Sequence, residues 1–462
     1  MTLGRLRYPS HESRLHRSAL VGTWIVVVAI GVVTYYEMRN QPFYYDAKGY
    51  VEAARGIANQ GLLSEWPGSE IRTYGLPLLL SWALAAAQWL DVGAITTLFP
   101  MQWGLLIGSA WLASRVLFAA PYVRLAAFAA VAANPLLVIY TPQALTESLT
   151  LTCVLFAVAA LGHAAQSHTS RATGGWLAAG AAASAFAVEV RPANLLIPVC
   201  YALAATGLLA QTRKRRSSRA TAATLAAVVF ALALPLGPQL LINQQNYQEI
   251  TPLVTADLAG LQATFGVQLL RYATNVGDCG ENSSLFFLNP FDYPEQERVS
   301  TGEMVRYYAF DWPQGPQTAA AHVFSGYDPR PFLTYQSEYG TTYERLLQVL
   351  VAGLVVLACV GMWRVVPRIR QREGVWRFDA LFLGAVGFCA LGILATSAAE
   401  HRFGVVPLMV TALLAAAGAG EICSLNTGGR WAVGVAFAAA SLAWMTVSDL
   451  LLNTSILWQA CS

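Results

Sequence analysis

Long apolar runs separated by short polar segments make up most of the chain, and most of the runs are long enough to cross a membrane. A helix needs about 20 apolar residues to span the hydrocarbon core of a bilayer. Runs of roughly this length lie at 19–36, 75–90, 96–118, 146–166, 174–190, 192–210, 220–242, 346–366, 378–396, 402–422 and 430–450. The pattern predicts an all-α polytopic membrane protein with about eleven transmembrane helices.

Composition supports this class and excludes two others. Apolar residues make up 56% of the 462 residues, charged residues only 12%, and mean hydropathy is +0.47. Soluble domains carry about 25% charged residues, so a soluble protein is excluded. The 11% aromatic content excludes a disordered chain. The basic runs are short and lie between apolar segments, which argues against a nucleic-acid partner and leaves membrane lipids as the surroundings.

Charge in the loops predicts the orientation and the domains. Segments 211–219 and 364–377 each carry five basic residues and at most one acid, which places them in the cytoplasm. Segment 243–345 carries twelve acidic residues against five arginines, and it is expected outside as an α or mixed subdomain. The chain then divides into three parts. An N-terminal membrane module, 1–242, contains the first external loop at 37–74. The external subdomain, 243–345, follows, and a C-terminal membrane module covers 346–462.

One further apolar run, 122–141, does not fit this crossing count. The external loop 37–74 and the cytoplasmic segment 211–219 must be separated by an odd number of crossings, but six apolar segments lie between them. Asn134-Pro135 and Thr141-Pro142 interrupt this run. We therefore expect 122–141 to form broken short helices that begin and end near the outer face.

An acidic residue opens an amphipathic segment in the first external loop. Between Phe43 and Asn59, Tyr50 shares an apolar helical face with alanine and isoleucine residues. This pattern predicts a juxtamembrane helix on the outer leaflet. Asp46, at its start, fits two interpretations, a helix N-cap or a carboxylate that acts as a general base.

Arginines and carboxylates recur at the ends of the predicted spans. They occur as Arg72-Thr-Tyr74, Thr146-Glu147-Ser148, Glu189-Val-Arg191 and Glu400-His401-Arg402. Each motif also has a structural interpretation. Arg72 and Tyr74 could anchor the chain at the membrane interface. Glu147 could be a favourable acid at a helix N-terminus. The last two motifs could each contain a structural ion pair. The predicted topology places all of them on the outer side. Together, a carboxylate could deprotonate an acceptor hydroxyl while guanidinium groups hold a departing phosphate.

The order and spacing of these motifs resemble those of GT-C glycosyltransferases. These polyprenyl-phosphate-sugar-dependent membrane enzymes include the protein O-mannosyltransferases and the lipid A aminoarabinose transferases. The resemblance runs through Asp46-Ala-x-x-Tyr50, Arg72-x-Tyr74-Gly-x-Pro77, Asn134-Pro135, Thr146-Glu147-Ser148, Val190-Arg191-Pro192 and Glu400-x-Arg402-Phe403. It covers roughly residues 19–242 and 346–422, whereas 250–345 resembles no family.

The resemblance implies an inverting transfer of a monosaccharide, a hexose or a pentose, from a polyprenyl-phosphate donor to a hydroxyl of a protein, lipid or polysaccharide. Asp46 would be the base. Arg191 and Arg402, with Arg72 as a third, would bind phosphate, and Glu147 and Glu400 would orient the acceptor or these arginines. Tyr50, Tyr74 and His401 would contact substrate. No metal ligands and no obligatory cofactor are expected, although a divalent cation could take part. The enzyme would lie in the plasma membrane, in bacteria the inner membrane, with its site facing the periplasm or the exterior.

Two alternatives share the same sequence features. A transporter or a lipid or oligosaccharide flippase also has many spans and membrane-edge charges, although its charges are expected near the midplane of the membrane. A ligase that moves preassembled glycans would use a similar site.

Two cysteines fall on the predicted external side. Cys279 lies in the acidic segment and Cys461 is the penultimate residue. Because disulfides persist in oxidising compartments, we predict that Cys279 and Cys461 pair.

Overall fold

The computed structural model describes residues 10–212, 217–277, 280–291, 298–330, 341–365, 377–397, 399–422, 425–455 and 457–461, most of them in α-helices. The helices up to residue 247 are α1 (Ser10–Met38), α2 (Tyr45–Gln60), α3 (Gly75–Leu90), α4 (Ala94–Leu117), α5 (Pro121–Ala132), α6 (Pro135–Val138), α7 (Glu147–Gln166), α8 (Ser170–Val190), α9 (Leu196–Thr212) and α10 (Ser218–Tyr247). The later helices are α11 (Leu258–Gln268), α12 (Thr301–Phe310), α13 (Gln314–Tyr327), α14 (Thr341–Val365), α15 (Phe378–Thr396), α16 (Val405–Ile422) and α17 (Thr427–Thr454). Short 3-10 helices, Pro192–Leu195 and His401–Gly404, lead into α9 and α16.

Each of the eleven predicted spans coincides with a helix. Among the described residues, eight helices are long and apolar enough to cross a membrane, namely α1, α7, α9, α10, α14, α15, α16 and α17. The chain is therefore a largely α-helical polytopic membrane protein, and the number eleven stays a prediction. Of these helices, α7 and α16 are enclosed by protein along most of their length, so they form the middle of the bundle.

Helix α3 does not cross the bundle, contrary to the prediction for 75–90. We call the end of the bundle that carries Asp46 and Glu400 the site face, and the end that carries Arg377 the opposite face. Gly75 packs against the backbone of Glu189 at the site face. Beyond the other end of α3, the Thr96 hydroxyl lies 3.1 Å from that of Tyr35, near the last turn of α1. Both ends of α3 therefore lie at the site face, and α4 begins there.

The run 122–141 crosses the bundle instead, so its predicted position at the outer face is wrong. The Arg377 guanidinium donates to the carbonyls of Val116 and Leu117 at the end of α4, each at 2.9 Å, and α5 follows directly. The run ends at the site face, where the Tyr140 hydroxyl lies 2.9 Å from His401 Nδ1. The predicted break at Asn134-Pro135 is confirmed, but it separates α5 from α6 without turning the chain back.

With α3 at the site face and the run 122–141 across the bundle, the number of crossings between the loop 37–74 and the segment 211–219 is still odd. Labelling of single cysteines tests this arrangement. In a chain whose native cysteines are replaced by serine, Asp91→Cys should react with an impermeant thiol reagent from the same side of the membrane as Arg306→Cys. Ala119→Cys should react only from the other side. All three positions are exposed. Labelling of Asp91→Cys and Ala119→Cys from the same side would contradict the arrangement.

Segment 243–345, for which an external position stays a prediction, contains helices and two of the three strands of a small sheet, as the mixed alternative expected. Strands β1 (Leu269–Gly277), β2 (Gly280–Leu288) and β3 (Leu457–Cys461) form an antiparallel sheet in the order β1-β2-β3. Because β3 lies at the end of the C-terminal module, the sheet joins residues 457–461 to the external subdomain. The last helix, α17, therefore ends on the same side as that subdomain.

The predicted Cys279–Cys461 disulfide stays a prediction. Cys279 lies outside the described residues, and only the backbone of Cys461 is described, opposite Ser283 in the sheet. We expect non-reducing peptide mapping to recover a cross-linked peptide that contains both cysteines. A Cys461 thiol that reacts with reagent only after the membrane is permeabilised would contradict the pairing.

Candidate active site

Asp46 is presented by the first turn of α2 and does not cap the helix. The N-cap is Tyr44, without a side-chain cap, and Tyr45 has a φ of 42°, in the left-handed region. For a bulky residue this conformation is strained, at a cost of about 1–3 kcal/mol. The N-cap interpretation of Asp46 is therefore wrong, and its side chain is 45% exposed.

Two guanidinium groups hold the Asp46 carboxylate. Arg402 Nη2 donates to Oδ2 at 2.8 Å, and Arg72 Nη2 lies 3.6 Å from Oδ1. Burial alone would raise the pKa of Asp46, but Arg402, helped by Arg72 and Arg191, outweighs burial and holds the pKa below its ordinary value. Asp46 is therefore ionised at neutral pH.

Arg72 lies in a slot formed by small and aromatic residues. Its guanidinium carbon lies 5.1 Å from the centre of the Tyr50 ring. A Cβ at Gly49 would overlap the same guanidinium, so only glycine leaves room for it there. Burial and the charge of Asp46 raise the pKa of Tyr50 to about 12. Tyr50 therefore keeps its hydroxyl proton and supports Arg72 with its ring.

Arg402 bridges two carboxylates. Its Nε donates to Glu400 while its Nη2 donates to Asp46. Glu400 is 1% exposed, and burial raises its pKa although Arg402 opposes the shift. The pair is fixed at the entrance to α16, one of the two enclosed helices, so Arg402 is held on a rigid part of the bundle.

Arg191 pairs with Glu147 and not with Glu189. Arg191 Nη1 donates to Glu147 Oε1 at 3.3 Å, between the end of α8 and the start of α7. Glu189 is completely buried, and neither of its carboxylate oxygens has a hydrogen-bond partner among the described residues. The structural interpretation of Glu189 and Arg191 as an ion pair is therefore wrong, and Glu147 anchors Arg191 in addition to lying at a helix N-terminus.

Phe403 brings the two predicted phosphate ligands together. The guanidinium carbon of Arg191 lies 4.3 Å from the ring centre, and that of Arg402 lies 5.3 Å from it. Cations are attracted to the face of an aromatic ring, so this ring holds both arginines near one point. Residues from α2, α7, α8 and the turn before α16, separated by up to 356 positions in sequence, thus meet at one site.

Two predicted substrate contacts face protein instead of the open part of the site. The Tyr74 hydroxyl donates to the Pro235 carbonyl at 2.7 Å, and the side chain is 5% exposed. His401 is 1% exposed and hydrogen-bonded to Tyr140. We therefore assign Tyr74 to the packing of α3 on α10 and His401 to the support behind Glu400.

Strand β1 contributes two residues that the sequence did not suggest. Tyr272 lies edge-on to Phe403, with ring centres 5.9 Å apart, and its amide donates to the Ala399 carbonyl at 3.2 Å. Arg271, the residue before Tyr272, is buried, with 2% of its surface exposed. From sequence, Arg271 was not among the candidate site residues. An arginine within the apolar run Leu269-Leu-Arg-Tyr272 was the available signal.

An apolar cleft lies next to Arg191. It opens between α9 and α15, and its lining consists of Ala193, Asn194, Leu196, Ile197, Val386, Cys389, Ala390, Ile393 and Val406. Ala193 and Asn194 of this lining follow Arg191 closely in the sequence.

No group of three or more His, Cys, Asp or Glu side chains among the described residues is arranged to hold a metal ion. Asp46 and Glu400 both face the Arg402 guanidinium. A Mg²⁺ ion here would need oxygens from a phosphate group and water to complete its coordination.

Comparisons with known proteins give structural similarity alone. No protein-family model matches the sequence, and no curated protein matches it. The solved structures similar to this chain include the oligosaccharyltransferase AglB from Archaeoglobus fulgidus, in complex with an inhibitory peptide and a dolichol-phosphate, at 12% identity and a TM-score of 0.48. The similarity covers 95% of this chain and 56% of AglB, so the chain spans about half the length of that protein.

A second similar structure is ArnT from Cupriavidus metallidurans bound to undecaprenyl phosphate. It is 15% identical, covers 88% of this chain and 78% of ArnT, and has a TM-score of 0.39. The function of this chain is inferred below from its own site.

Proposed function

We propose that this chain is a membrane glycosyltransferase that moves one sugar from a polyprenyl-phosphate donor to a hydroxyl of an external protein, lipid or glycan. The supporting observation is the half-exposed Asp46 carboxylate between the largely buried guanidinium groups of Arg402 and Arg72. A general base beside two phosphate-binding groups is what a sugar transfer with a phosphate leaving group requires.

In the proposed reaction, Asp46 takes the proton of the acceptor hydroxyl while the hydroxyl oxygen bonds to the anomeric carbon. The bond between this carbon and the phosphate oxygen breaks, and the phosphate leaves with the electron pair. Attack from the side opposite to the phosphate inverts the anomeric configuration. Arg402, Arg72 and Arg191 stabilise the negative charge that develops on the leaving group.

The charge of the site suits this leaving group. Three guanidinium groups meet three carboxylates there, Arg72, Arg191 and Arg402 with Asp46, Glu147 and Glu400. Arg402 shares Asp46 with Arg72 and the Phe403 ring with Arg191, so the three cations lie around one point that a phosphate group could occupy. The departing phosphate monoester carries more negative charge than the diester, so the site favours the product side of bond cleavage.

Asp46 as it stands is a weak base, because Arg402 and Arg72 hold its pKa low. A phosphate that binds the same two guanidinium groups competes with Asp46 for their hydrogen bonds. Its own negative charge also disfavours the ionised carboxylate. The pKa of Asp46 would therefore rise when the donor binds, and we infer that the donor binds before the acceptor.

The apolar cleft between α9 and α15 suits the lipid part of the donor. Its lining is almost entirely aliphatic, and Asn194 at its edge is three residues from Arg191. A polyprenyl chain could lie in this cleft with its phosphate at Arg191 and Arg402. AglB and ArnT, which have similar folds, were solved with polyprenyl phosphates. The Arg-rich segments 211–219 and 364–377 favour a site that faces the periplasm or exterior of a plasma membrane.

Mass spectrometry of cell-envelope glycans tests the proposal. Cells that carry wild-type protein should contain a glycan with one hexose or pentose that is missing from cells without the gene. Asp46→Asn, expressed at the same level, should not restore that sugar, whereas Arg306→Lys in the external subdomain should. An envelope unchanged by deletion of the gene, together with altered lipid or sugar uptake, would favour a transporter or flippase instead.

A further inference from the structure

A second cleft opens at the site face, beside the turn that carries Asp46. It lies between the end of α1, the starts of α2 and α4 and the segment that leads into α7, and its lining includes Phe43, Tyr44, Ala47, Ile95, Pro142 and Gln143. Tyr44 and Ala47 flank Asp46 within one helical turn, about 5.4 Å of helix. One small ligand could therefore contact both the cleft and Asp46. The cleft shares no lining residue with the cleft between α9 and α15.

The side-chain amide of Gln143 is buried without a partner. Gln143 is 4% exposed, and neither its Nε2 nor its Oε1 has a hydrogen-bond partner among the described residues. The neighbouring Gln102 is fully buried, and its Oε1 has no partner there either. Burying such groups without hydrogen bonds destabilises a protein. An unpartnered amide that borders a cleft at a candidate active site therefore indicates a group that is kept to bind a ligand.

The backbone of Gln143 is held in place, which leaves its side chain as the part able to bind a ligand. The Gln143 N–H donates to the Tyr140 carbonyl at 3.3 Å, and the Gln143 carbonyl accepts from Gln102 Nε2 at 2.8 Å. The Tyr140 hydroxyl lies 2.9 Å from His401 Nδ1, and Arg402 follows His401 directly. Hydrogen bonds thus connect Gln143 to the turn that carries Arg402, and the amide is presented from a fixed segment of the site.

The lining of the cleft indicates a neutral ligand with hydroxyl groups. None of the lining residues is charged, so a charged group would enter without an ion-pair partner. A lipid chain would leave the Gln143 amide unpartnered. The amide offers two N–H donors and one carbonyl acceptor. Neighbouring hydroxyls of a sugar can accept from Nε2 and donate to Oε1 at the same time, while the C–H surface of the sugar packs on apolar residues such as Phe43 and Pro142.

A peptide also carries hydrogen-bonding groups, but a sugar suits the position of the cleft better. The hydroxyl that reacts at Asp46 and the groups that bind Gln143 must lie within about one helical turn of each other. In a monosaccharide, all of these hydroxyls belong to one rigid ring. In a peptide, the hydroxyl of serine or threonine is joined to the backbone amides by rotatable bonds, so binding at Gln143 would orient it less well.

We propose that this cleft binds the acceptor, that the acceptor presents a sugar, and that Gln143 hydrogen-bonds the hydroxyls next to the one that reacts. The inference rests on the proposed function for the reaction itself. It narrows the acceptor from a protein, lipid or glycan to a group that ends in a sugar. Glycolipids and polysaccharides both present such a group. Gln143 is thus a residue for acceptor specificity, whereas the site arginines bind the donor.

The first test measures binding of simple sugars to the purified full chain in lipid nanodiscs by saturation-transfer NMR. The probes are the methyl glycosides of glucose, galactose, mannose and N-acetylglucosamine. The wild type should bind at least one of them, and Gln143→Leu should bind it about 10–100-fold more weakly, as expected for lost hydrogen bonds in a buried site. Gln88→Leu, the same change at an exposed glutamine of α3, should bind as the wild type does. Equal binding by Gln143→Leu and the wild type, or no binding of any glycoside by the wild type, would overturn the proposal.

Thermal unfolding of the same variants separates a ligand-binding residue from a structural one. Because the Gln143 amide has no partner in the described fold, its replacement by leucine removes a desolvated group. The unfolding midpoint of ligand-free Gln143→Leu should therefore equal or exceed that of the wild type. A glutamine that holds the fold together would lose stability with the same change. A lower midpoint, or failure of the variant to accumulate, would count against the proposal and overturn it.

Modified probes test the chemical class of the ligand. At least one glycoside with a single hydroxyl removed should bind the wild type and Gln143→Leu equally. If every such derivative still distinguishes the two proteins, Gln143 does not bind a hydroxyl. Binding of N-acetylserine methylamide that depends on Gln143, without binding of glycosides, would identify a peptide acceptor and overturn the proposal. Mass spectrometry of the envelope distinguishes the two sources of the sugar, because the transferred residue is found on a glycolipid or on a polysaccharide.

These outcomes are separate from those of the proposed function. If the wild type does not bind undecaprenyl phosphate, the proposed donor is contradicted, and glycoside binding still decides the role of the cleft. If sugar transfer depends on Asp46 but glycoside binding does not depend on Gln143, the proposed function stands and the assignment of the cleft fails.

Discussion

Replacing Asp46 by asparagine should lower turnover by about 10²- to 10⁴-fold, the range for loss of a general base. The amide has nearly the same shape as the carboxylate but cannot take the acceptor proton. Asparagine also cannot pair ionically with Arg402 and Arg72, whose charges then become free to bind phosphate. Donor binding should therefore stay near that of wild type or become tighter. The measurement is transfer of labelled sugar from a polyprenyl-phosphate donor by purified protein, with donor affinity measured separately.

Lys48, two residues along the same exposed turn, provides the matched control. Lys48→Met should leave turnover and donor affinity near those of wild type, because Lys48 is exposed and its side chain has no hydrogen bond or ion pair with an arginine of the site among the described residues. Turnover by Asp46→Asn near that of wild type would remove Asp46 from the reaction. An equal loss of turnover in Asp46→Asn and Lys48→Met would point to disturbance of α2 as a whole.

Replacing Arg402 by lysine should cause the largest loss among the site arginines, about 10²-fold in turnover, with weaker donor binding. Arg402 uses Nε for Glu400 and Nη2 for Asp46, and the single nitrogen of lysine cannot serve both carboxylates. The loss would leave Glu400, which is 1% exposed, without its guanidinium partner. Breaking a buried ion pair is strongly destabilising, by about 3–5 kcal/mol when one partner is removed entirely. A fall in thermal stability should accompany the fall in turnover.

Arg191→Lys should have a smaller effect, because Arg191 is 26% exposed and pairs with a single carboxylate, Glu147, at 3.3 Å among the described residues. Arg306→Lys, on the exposed side of α12, is the control and should behave as wild type. We expect the loss of donor affinity and of turnover to be largest for Arg402→Lys, smaller for Arg191→Lys and negligible for Arg306→Lys. Equal donor affinity in all three would remove Arg402 and Arg191 from the phosphate site.

The sequence by itself determined the class of the protein and most of its helices. Apolar runs of spanning length must be helical in lipid, because every backbone polar group has to be satisfied within its own segment. The positions of eleven helices followed from this rule, and the break at Asn134-Pro135 followed because proline cannot continue a helix. The sequence also named the charges of the site, because Asp, Glu and Arg at membrane edges are too costly to be incidental.

Hydropathy could not decide which short segment crosses. Hydropathy predicts which segments are stable in lipid. Helices α5 and α6 are surrounded by protein instead, at residues such as Phe128 and Leu136, so this run can cross although it is interrupted. Helix α3 is apolar enough to span, but its contacts with α4, and of Gly75 with Glu189, hold both of its ends at the site face. Local sequence records neither of these contacts.

Only the tertiary structure decided which charges pair. Neighbours in sequence suggested Glu189 with Arg191, but the turn of the chain at residue 191 directs these side chains apart, and Glu147 on α7 becomes the partner. Likewise, Arg271 is 128 positions from Ala399 in the sequence and lies beside it because β1 forms a parallel bridge there. Ion pairs and strand bridges depend on distances of a few ångströms between distant segments, and those distances are set by how the helices and the external sheet pack.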